Sequence, residues 1–341
     1  MNEFYNKMKY FEEKEGVPAE VYYHYTSLEA LYNIVTSKTF RLTNLKSSND
    51  KKELFYSPEQ FLADLEKVCN EEKHENIKKY LLLVKESIEQ NYNVFLTACK
   101  EKRFPYALCL SEKKDNLIHW DRYALSSTGV CIGFNVSALA IYLKRKATTA
   151  FGIGLYDVGD VIYSADDREK YIREGLIHFF EFLYEQECKK GVQISVKELI
   201  HNNAYLYATN ICLKLTKFSK KDSFVDEDEV RLYHDTASIK STLNLIDLME
   251  STLGNELYHS EKRKFLEVAK NLQLDDEKFC MTKRGIRGYK NLCLEEVWGS
   301  GTIPEIILGP MCVQNCNELR RFLKANGLEG TKVTVSKISM R

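Results

Sequence analysis

Three short segments carry the residues able to do chemistry. The first is His24-Tyr25-Thr26-Ser27, followed by a helical stretch and then by Arg41, Asn49, Asp50 and Glu53. A histidine at a strand end can hydrogen-bond a ribose hydroxyl, and an arginine can pair with a phosphate. Read without context, the same residues are a backbone-satisfied histidine and an Asn-Asp turn. The second segment, Cys109 to Ala124, holds Ser111, Asp115, Trp120 and Tyr123. Those form either an aromatic wall with a polar rim or, with Trp120 and Tyr123 three apart on a helix, a core stripe. The third is Phe224 to Leu232. Strand alternation places Glu227, Glu229 and Arg231 on one face there. Two carboxylates and a guanidinium are costly to bury together, so they face water or form a site. Val230 and Leu232, alternating with them, favour a strand entering a sheet.

The common templates are missing. No G-x-x-x-x-G-K, G-x-G-x-x-G, G-x-S-x-G or H-E-x-x-H occurs in the 341 residues. The 49 basic and 49 acidic residues give a net charge of +0, so no overall field draws the chain to nucleic acid or an anionic membrane. The charged N-terminal stretch and the lack of a long apolar run argue against export and membrane insertion, and point to the cytoplasm. Most of the ten cysteines lie in apolar runs such as Ala107-Leu108-Cys109-Leu110 and read as reduced core thiols. Cys312 and Cys316, the closest pair, lack a partnering spacing for zinc, so no metal is expected.

The elements that must position these segments follow from hydrophobic period. A short N-terminal helix precedes a strand at 21–25, a helix capped by serine or threonine from Ser27, and a strand at 40–43. Residues 55–93 read as helical, 93–99 and 106–110 as consecutive strands, 117–123 as a helix and 129–135 as a strand followed by a helix to about 144. Strand candidates near 154–156 and 161–163 precede two helices over 167–217. A strand at 229–234, a helical stretch at 237–272, strands at 292–297 and 305–308, a helix at 316–325 and a strand at 332–336 complete the chain. Gly285 to Gly288 is a turn signal. No linker marks a boundary, so the expectation is one elaborated α+β domain over 1–341, with helical insertions at about 55–93, 167–217 and 237–272.

Together these segments resemble a bacterial family known as domain of unknown function 2971. The resemblance rests on H-Y-T-S with its helix, the N-D and Glu53 that follow, L-S-E-x-x-D-N-L-x-x-W-x-x-Y, G-V-C-I-G-F, E-x-E-x-R and I-P-E-I-I-L-G-P. Phe224 stands where that family usually has tryptophan, and His119 where it usually has methionine. The order of H-Y, central aromatics and a late strand bearing glutamate also resembles the H-Y-E arrangement of ADP-ribosyltransferases, with E-x-E like the arginine-directed transferases.

This resemblance implies a mixed, mainly antiparallel split sheet and NAD as co-substrate. It gives His24 and Thr26 to the NAD site with Ser111 and Trp120, Tyr25 or Tyr123 to stacking, and Arg41 or Arg231 to phosphate. Glu229 becomes the catalytic carboxylate and Glu227 the residue orienting the acceptor. An oxocarbenium-like transition state needs such a carboxylate and exclusion of water. The acceptor would be an unidentified protein or nucleic acid, in a toxin or antiviral-defence setting. Two other readings stand beside this one: a metal-dependent hydrolase or nuclease using Asp115, Glu227 and Glu229, and a non-catalytic nucleotide-sensing module.

Overall fold

The computed structural model describes residues 21–47, 56–100, 105–136, 156–190, 196–235, 259, 262, 263, 266, 277–282, 285–299 and 301–339. The expected N-terminal helix, Asn49, Asp50, Glu53, the helix to about 144, the candidate strand residues 154 and 155, and nearly all of 237–272 lie outside the described residues. The chain divides into two compact units, one from Asn49–Lys102 with Val161–Val225, the other from Asn2–Ser48, Arg103–Asp160 and Asp226–Arg341.

The second unit opens with β1 (Val21–Thr26), α1 (Leu28–Ser37) and β2 (Thr39–Asn44). Ser27 caps α1 through a bond from the Ala30 amide, and Lys38 ends it in the left-handed conformation. The first unit contributes α2 (Pro58–Glu71), α3 (Glu75–Gln90) and α4 (Tyr92–Lys100). The strand expected at 93–99 is therefore helical: Phe95 is buried beside Phe61, 5.9 Å between ring centres with the rings tilted at 36°, in a helical core. Tertiary packing overrides the β-branched and aromatic preference of a short apolar run there.

Back in the second unit come β3 (Pro105–Ser111), α5 (Leu117–Tyr123), β4 (Val130–Asn135) and β5 (Tyr156–Asp160). The first unit adds α6 (Ala165–Lys190) and α7 (Val196–Phe218). The remaining elements are β6 (Glu229–Asp235), β7 (Lys278–Thr282), β8 (Gly285–Cys293), β9 (Glu305–Leu308), α8 (Cys316–Ala325) and β10 (Lys332–Val335). The strand expected at 292–297 ends at Cys293 and passes into a 3-10 turn at Glu295–Val297. The supposed turn at Gly285 to Gly288 opens β8 instead, with Gly285 at φ +109 directly after the β7–β8 connection. No described helix is long and apolar enough to cross a membrane.

The ten strands form one open, mixed sheet in the order β10-β9-β4-β1-β3-β2-β8-β7, with β6 beside β3 and β5 beside β6. All pairings are antiparallel except β9 with β10. Strand β6 takes one edge of β3 along its whole length. The other edge is shared: β2 pairs at Tyr106 and Ala107, β1 pairs at Ser111, and the two diverge between. The sheet is thus split at Cys109.

Every opposed pair among β1 to β6, β8 and β9 that runs antiparallel matches odd residue with odd and even with even. Opposed side chains share a face, so residue parity reports the face. The even face is apolar: Tyr22, Phe40, Leu42, Leu108, Leu110, Ile132, Val230, Leu232 and Ile306 are buried there against α1 and α8. The odd face is polar, carrying Arg41, Cys109, Ser111, Glu229, Arg231 and Glu305. Over its β1–β4 part it is covered by α5, whose Trp120 joins Tyr23, Tyr25, Cys131 and Ile307.

Three loops meet behind α5, where Leu125, Ser126 and Ser127 are successively left-handed at φ 49, 50 and 72. Each such residue costs ~1–2 kcal/mol. The run returns the chain sharply, and Gly129 N–H closes it on Ala124 O at 2.8 Å. A Cβ at Gly129 would sit 2.2 Å from Thr26 O and 2.9 Å from Ala124 O, both backbone atoms that cannot swing away. We expect Gly129→Ala to lower unfolding stability by roughly 2–4 kcal/mol, against under 0.5 kcal/mol for the exposed Ser126→Ala, read from urea midpoints. Equal midpoints would show that the junction is not close-packed.

Candidate functional site

Parity separates the residues singled out in the sequence. His24 is even; Tyr25, Arg41, Ser111, Glu229 and Arg231 are odd. His24 therefore faces away from Glu229, and the two do not line one pocket wall. Its Nδ1 lies 3.0 Å from Cys109 O, and a carbonyl can only accept, so Nδ1 carries the proton. Burial pushes its pKa below the ordinary histidine value, which keeps the ring neutral. Phe40 meets the ring edge to face at 6.2 Å. His24 thus bridges β1 to β3 at the split, the role of a backbone-satisfied histidine.

On the odd face, β3 leads into a loop tied down at every turn. Tyr25 Oη donates to Lys113 O and accepts from Asn116 N–H, both at 2.9 Å. Asn116 caps α5, its Oδ1 accepting from Ile118 and His119 amides. Asp115, left-handed at φ 56, accepts from Trp120 Nε1 at 2.8 Å, Ser336 Oγ at 2.5 Å and Lys337 N–H at 2.8 Å. Burial alone would raise the Asp115 pKa, but these three donors outweigh it and hold the carboxyl below its usual range. Trp120 and Tyr25 are both buried, so neither offers a face to a ligand. Both are core residues, Tyr25 on β1 and Trp120 on α5; of the stripe that helical spacing allowed, Trp120 is core and Tyr123 is not, being 40% exposed. Thr26 ends β1 opposite Val130.

Glu227 does not share a strand face with Glu229 and Arg231 as expected. It ends a 3-10 turn at Asp222–Glu227, and Asp228 follows at φ 37, so the period-two alternation begins only at Glu229. The Glu227 carbonyl accepts from Ser111 Oγ at 2.9 Å and lies 3.0 Å from His119 Nε2. Its buried carboxylate accepts from Tyr123 Oη at 2.5 Å, with Arg122 Nη1 at 3.8 Å. Tyr123 is 40% exposed, so this buried carboxylate is bonded to a phenol that reaches the surface.

Glu229 and Arg231 form a two-point ion pair, Nε to Oε1 at 2.8 Å and Nη2 to Oε2 at 3.2 Å. Arg231 is fully buried and Glu229 nearly so. Ser111 is buried as well. A phosphate role for Arg231 and a catalytic role for Glu229 are thus at odds with this closed pairing. Arg41 differs: it is exposed, with its guanidinium 4.7 Å from the Tyr289 ring centre. Between these two ends lies Cys109. It was expected as a core thiol, but the split leaves it exposed on the odd face.

Asp115, Glu227 and Glu229 serve separate partners and do not converge. Among the described residues no group of three or more His, Cys, Asp and Glu is placed to hold a metal ion. Sequence reasoning missed four contributors. His119 braces the Glu227 carbonyl; Lys114 Nζ contacts both Glu305 oxygens at 2.7 and 2.6 Å, and Tyr23 donates to Glu305 at 2.9 Å. Burial and the Glu305 carboxylate raise the Tyr23 pKa well above the usual phenol range. Glu305 lies in I-P-E-I-I-L-G-P, the only sign of it in the sequence.

The family model described as Protein of unknown function (DUF2971) matches residues 119–232, from α5 to β6. This supports the family resemblance over about a third of the chain. No curated protein and no solved structure matches.

Two measurements test the geometry. Removing one partner of a buried ion pair leaves the other charge uncompensated. Glu229→Leu is therefore expected to cost ~3–5 kcal/mol, and Glu229→Leu with Arg231→Met distinctly less; additive losses in urea unfolding would contradict the pair. Asp115 has a folded pKa below its unfolded value. Its contribution is fully present above the unfolded pKa, near ~3.9, and is lost as pH falls through the folded pKa. Asp115→Asn should flatten the acid limb of stability against pH below about 5; an unchanged limb excludes this tether as its source.

Proposed function

We propose that the chain is a nucleotide-binding protein of the ADP-ribosyltransferase type, with NAD as co-substrate and a macromolecular acceptor. The odd face of the split sheet is its ligand face and Glu227 its working carboxylate. The observation that carries the reading is the Tyr123–Glu227 pair: a buried carboxylate, bonded at 2.5 Å to a phenol that is itself 40% exposed. A carboxylate in a low-dielectric setting stabilises a developing ribosyl cation far more than one in water. Tyr123 supplies the aromatic surface for the departing nicotinamide. The exposed Arg41 with Tyr289 suits a phosphate beside a planar group.

This assignment moves the catalytic role from Glu229 to Glu227, because Glu229 is committed to Arg231. It also removes His24 from ribose binding and gives that residue to the split. What supports an ADP-ribosyltransferase-like fold is that split and the strand order β1-β3-β6, with the first segment on β1, Glu229 at the start of β6 and Glu227 in the turn before it.

The test is incubation of the full chain with NAD labelled in the adenylate phosphate, with cell extract as acceptor source. Nicotinamide release and transfer of label to macromolecules are expected, falling ~100-fold or more in Glu227→Gln and less in Arg41→Ala. No release and no labelling, or full activity in Glu227→Gln, rejects the reading. NAD retained in equilibrium dialysis without release supports the sensing module instead, favoured by the closed Glu229–Arg231 pair.

A further inference from the structure

The apolar face of the sheet outruns its helical cover. Strand β7 ends the sheet, and no further described strand lies beyond it. Its residues oppose β8 with the parity reversed, Phe279 facing Gly288 and Met281 facing Ile286, so Phe279 and Met281 continue the even, apolar face. Phe40 and Leu42 on that face are buried, whereas Phe279 is 65% exposed, Met281 76% and Ile286 69%. Water satisfies the backbone of a sheet edge, but not a row of apolar side chains beside it. Proteins commonly blunt such an edge with charge, proline, a bulge or a covering element. Here the β7–β8 register is unbroken, β7 holds no proline, and its one charge is Lys278 at the start.

The phase of the ladder fixes which backbone groups point outward. Leu294 N–H donates to Lys38 O at 2.9 Å beside the β2–β8 pairing. Antiparallel hydrogen bonding alternates along a strand, so the even residues of β8 turn their N–H and C=O to β2 and its odd residues turn theirs to β7. Arg287 is therefore bonded to Cys280 and Tyr289 to Lys278, while Phe279 and Met281 direct their own N–H and C=O away from the sheet. These outward groups flank Cys280 symmetrically. So do the two apolar side chains of the strand.

We infer that β7 is a self-association edge, which pairs antiparallel with β7 of a second copy of this chain about a two-fold axis through Cys280. That axis opposes Phe279 to Met281 of the second copy, and Met281 to its Phe279, as hydrogen-bonded pairs that use the outward backbone groups. It also brings Phe279, Met281 and Ile286 of both copies onto one continuous apolar face. Lys278 meets Thr282 of the second copy, so no like charges are opposed. A second copy is singled out because one axis centres the backbone groups and the side-chain pattern together, which makes the edge its own complement. The inference does not depend on the nucleotide reading, and absence of NAD turnover would leave it standing.

Sedimentation velocity of the full chain from ~1 to ~100 μM, the range suited to a small interface, should show a monomer–dimer equilibrium. Phe279→Lys with Met281→Lys puts lysine opposite lysine in both hydrogen-bonded pairs and should weaken the dimer roughly tenfold or more. Phe279→Lys with Met281→Glu puts opposite charges there and should associate about tenfold more tightly than the double lysine variant. Parallel pairing would oppose like charges in both variants, so the contrast reads the register. Cys280 reports the axis in the unaltered chain, because a non-hydrogen-bonded pair holds its Cα atoms ~4.5 Å apart, within disulfide reach. Air oxidation with a copper catalyst, in which oxygen takes two electrons from the two thiols, should give a disulfide-linked dimer that Cys280→Ser abolishes. A single chain mass throughout the range, equal association of the two charged variants, or a disulfide-linked dimer that is absent or survives Cys280→Ser overturns the interface.

Discussion

The shared edge of β3 is the constraint from which the rest of this unit follows. Two strands, β1 and β2, pair with one edge of β3 at opposite ends, and neither can continue past the other. At the point of divergence a backbone carbonyl, that of Cys109, would face a gap. A polar group left without a partner away from water costs free energy comparable to a lost hydrogen bond. The imidazole of His24 supplies the donor. It is neutral, as its setting demands, and it reaches from the even face into the gap between strands.

The consequences are asymmetric between the two faces. On the even side the strands still present a continuous apolar surface, and α1, which joins the diverging strands, lies over it with α8. On the odd side the divergence leaves Cys109 without a strand on the edge opposite β6, and its side chain is exposed. Polar groups collect around that opening: Arg41 from β2, Glu229 and Arg231 from β6, and Glu227 from the turn before β6. The buried members among them are neutralised in pairs, as charges removed from water must be. Arg41 is itself exposed, and Glu227 reaches solvent through Tyr123.

The loop between β3 and α5 shows how this arrangement is held. Tyr25, Asp115, Asn116, Ser111 and His119 each make at least two bonds, and most of these join groups far apart in sequence or cap a helix. Asp115 ties the loop to Ser336 beyond β10, and Ser111 and His119 tie it to Glu227. A residue type that suggests catalysis, such as an aspartate beside a tryptophan, is here part of a brace. The same bonds fix Tyr123 over Glu227, so the brace and the candidate site are one construction.

The sequence alone determined the elements with strong local signals. The Ser27-capped helix, the helix at 316–325 and the strands at 229–234 and 305–308 follow from caps and apolar period, because both are set by neighbours within a turn. The order of its motifs, through the family resemblance, also grouped His24, Ser111, Glu227 and Glu229 in one region of the fold. The tertiary structure decided which of them face together. Facing depends on register between strands far apart in sequence, and a shift of one residue exchanges the faces. Only the pairing of Tyr23 with Ser111, and of Ser111 with Glu229, turned His24 away from Glu229. Only the split opened Cys109, which composition had assigned to the core. The helical state of 92–100 and the turn at Glu227 were likewise set by packing, since a short apolar run and an acidic run each fit two local structures.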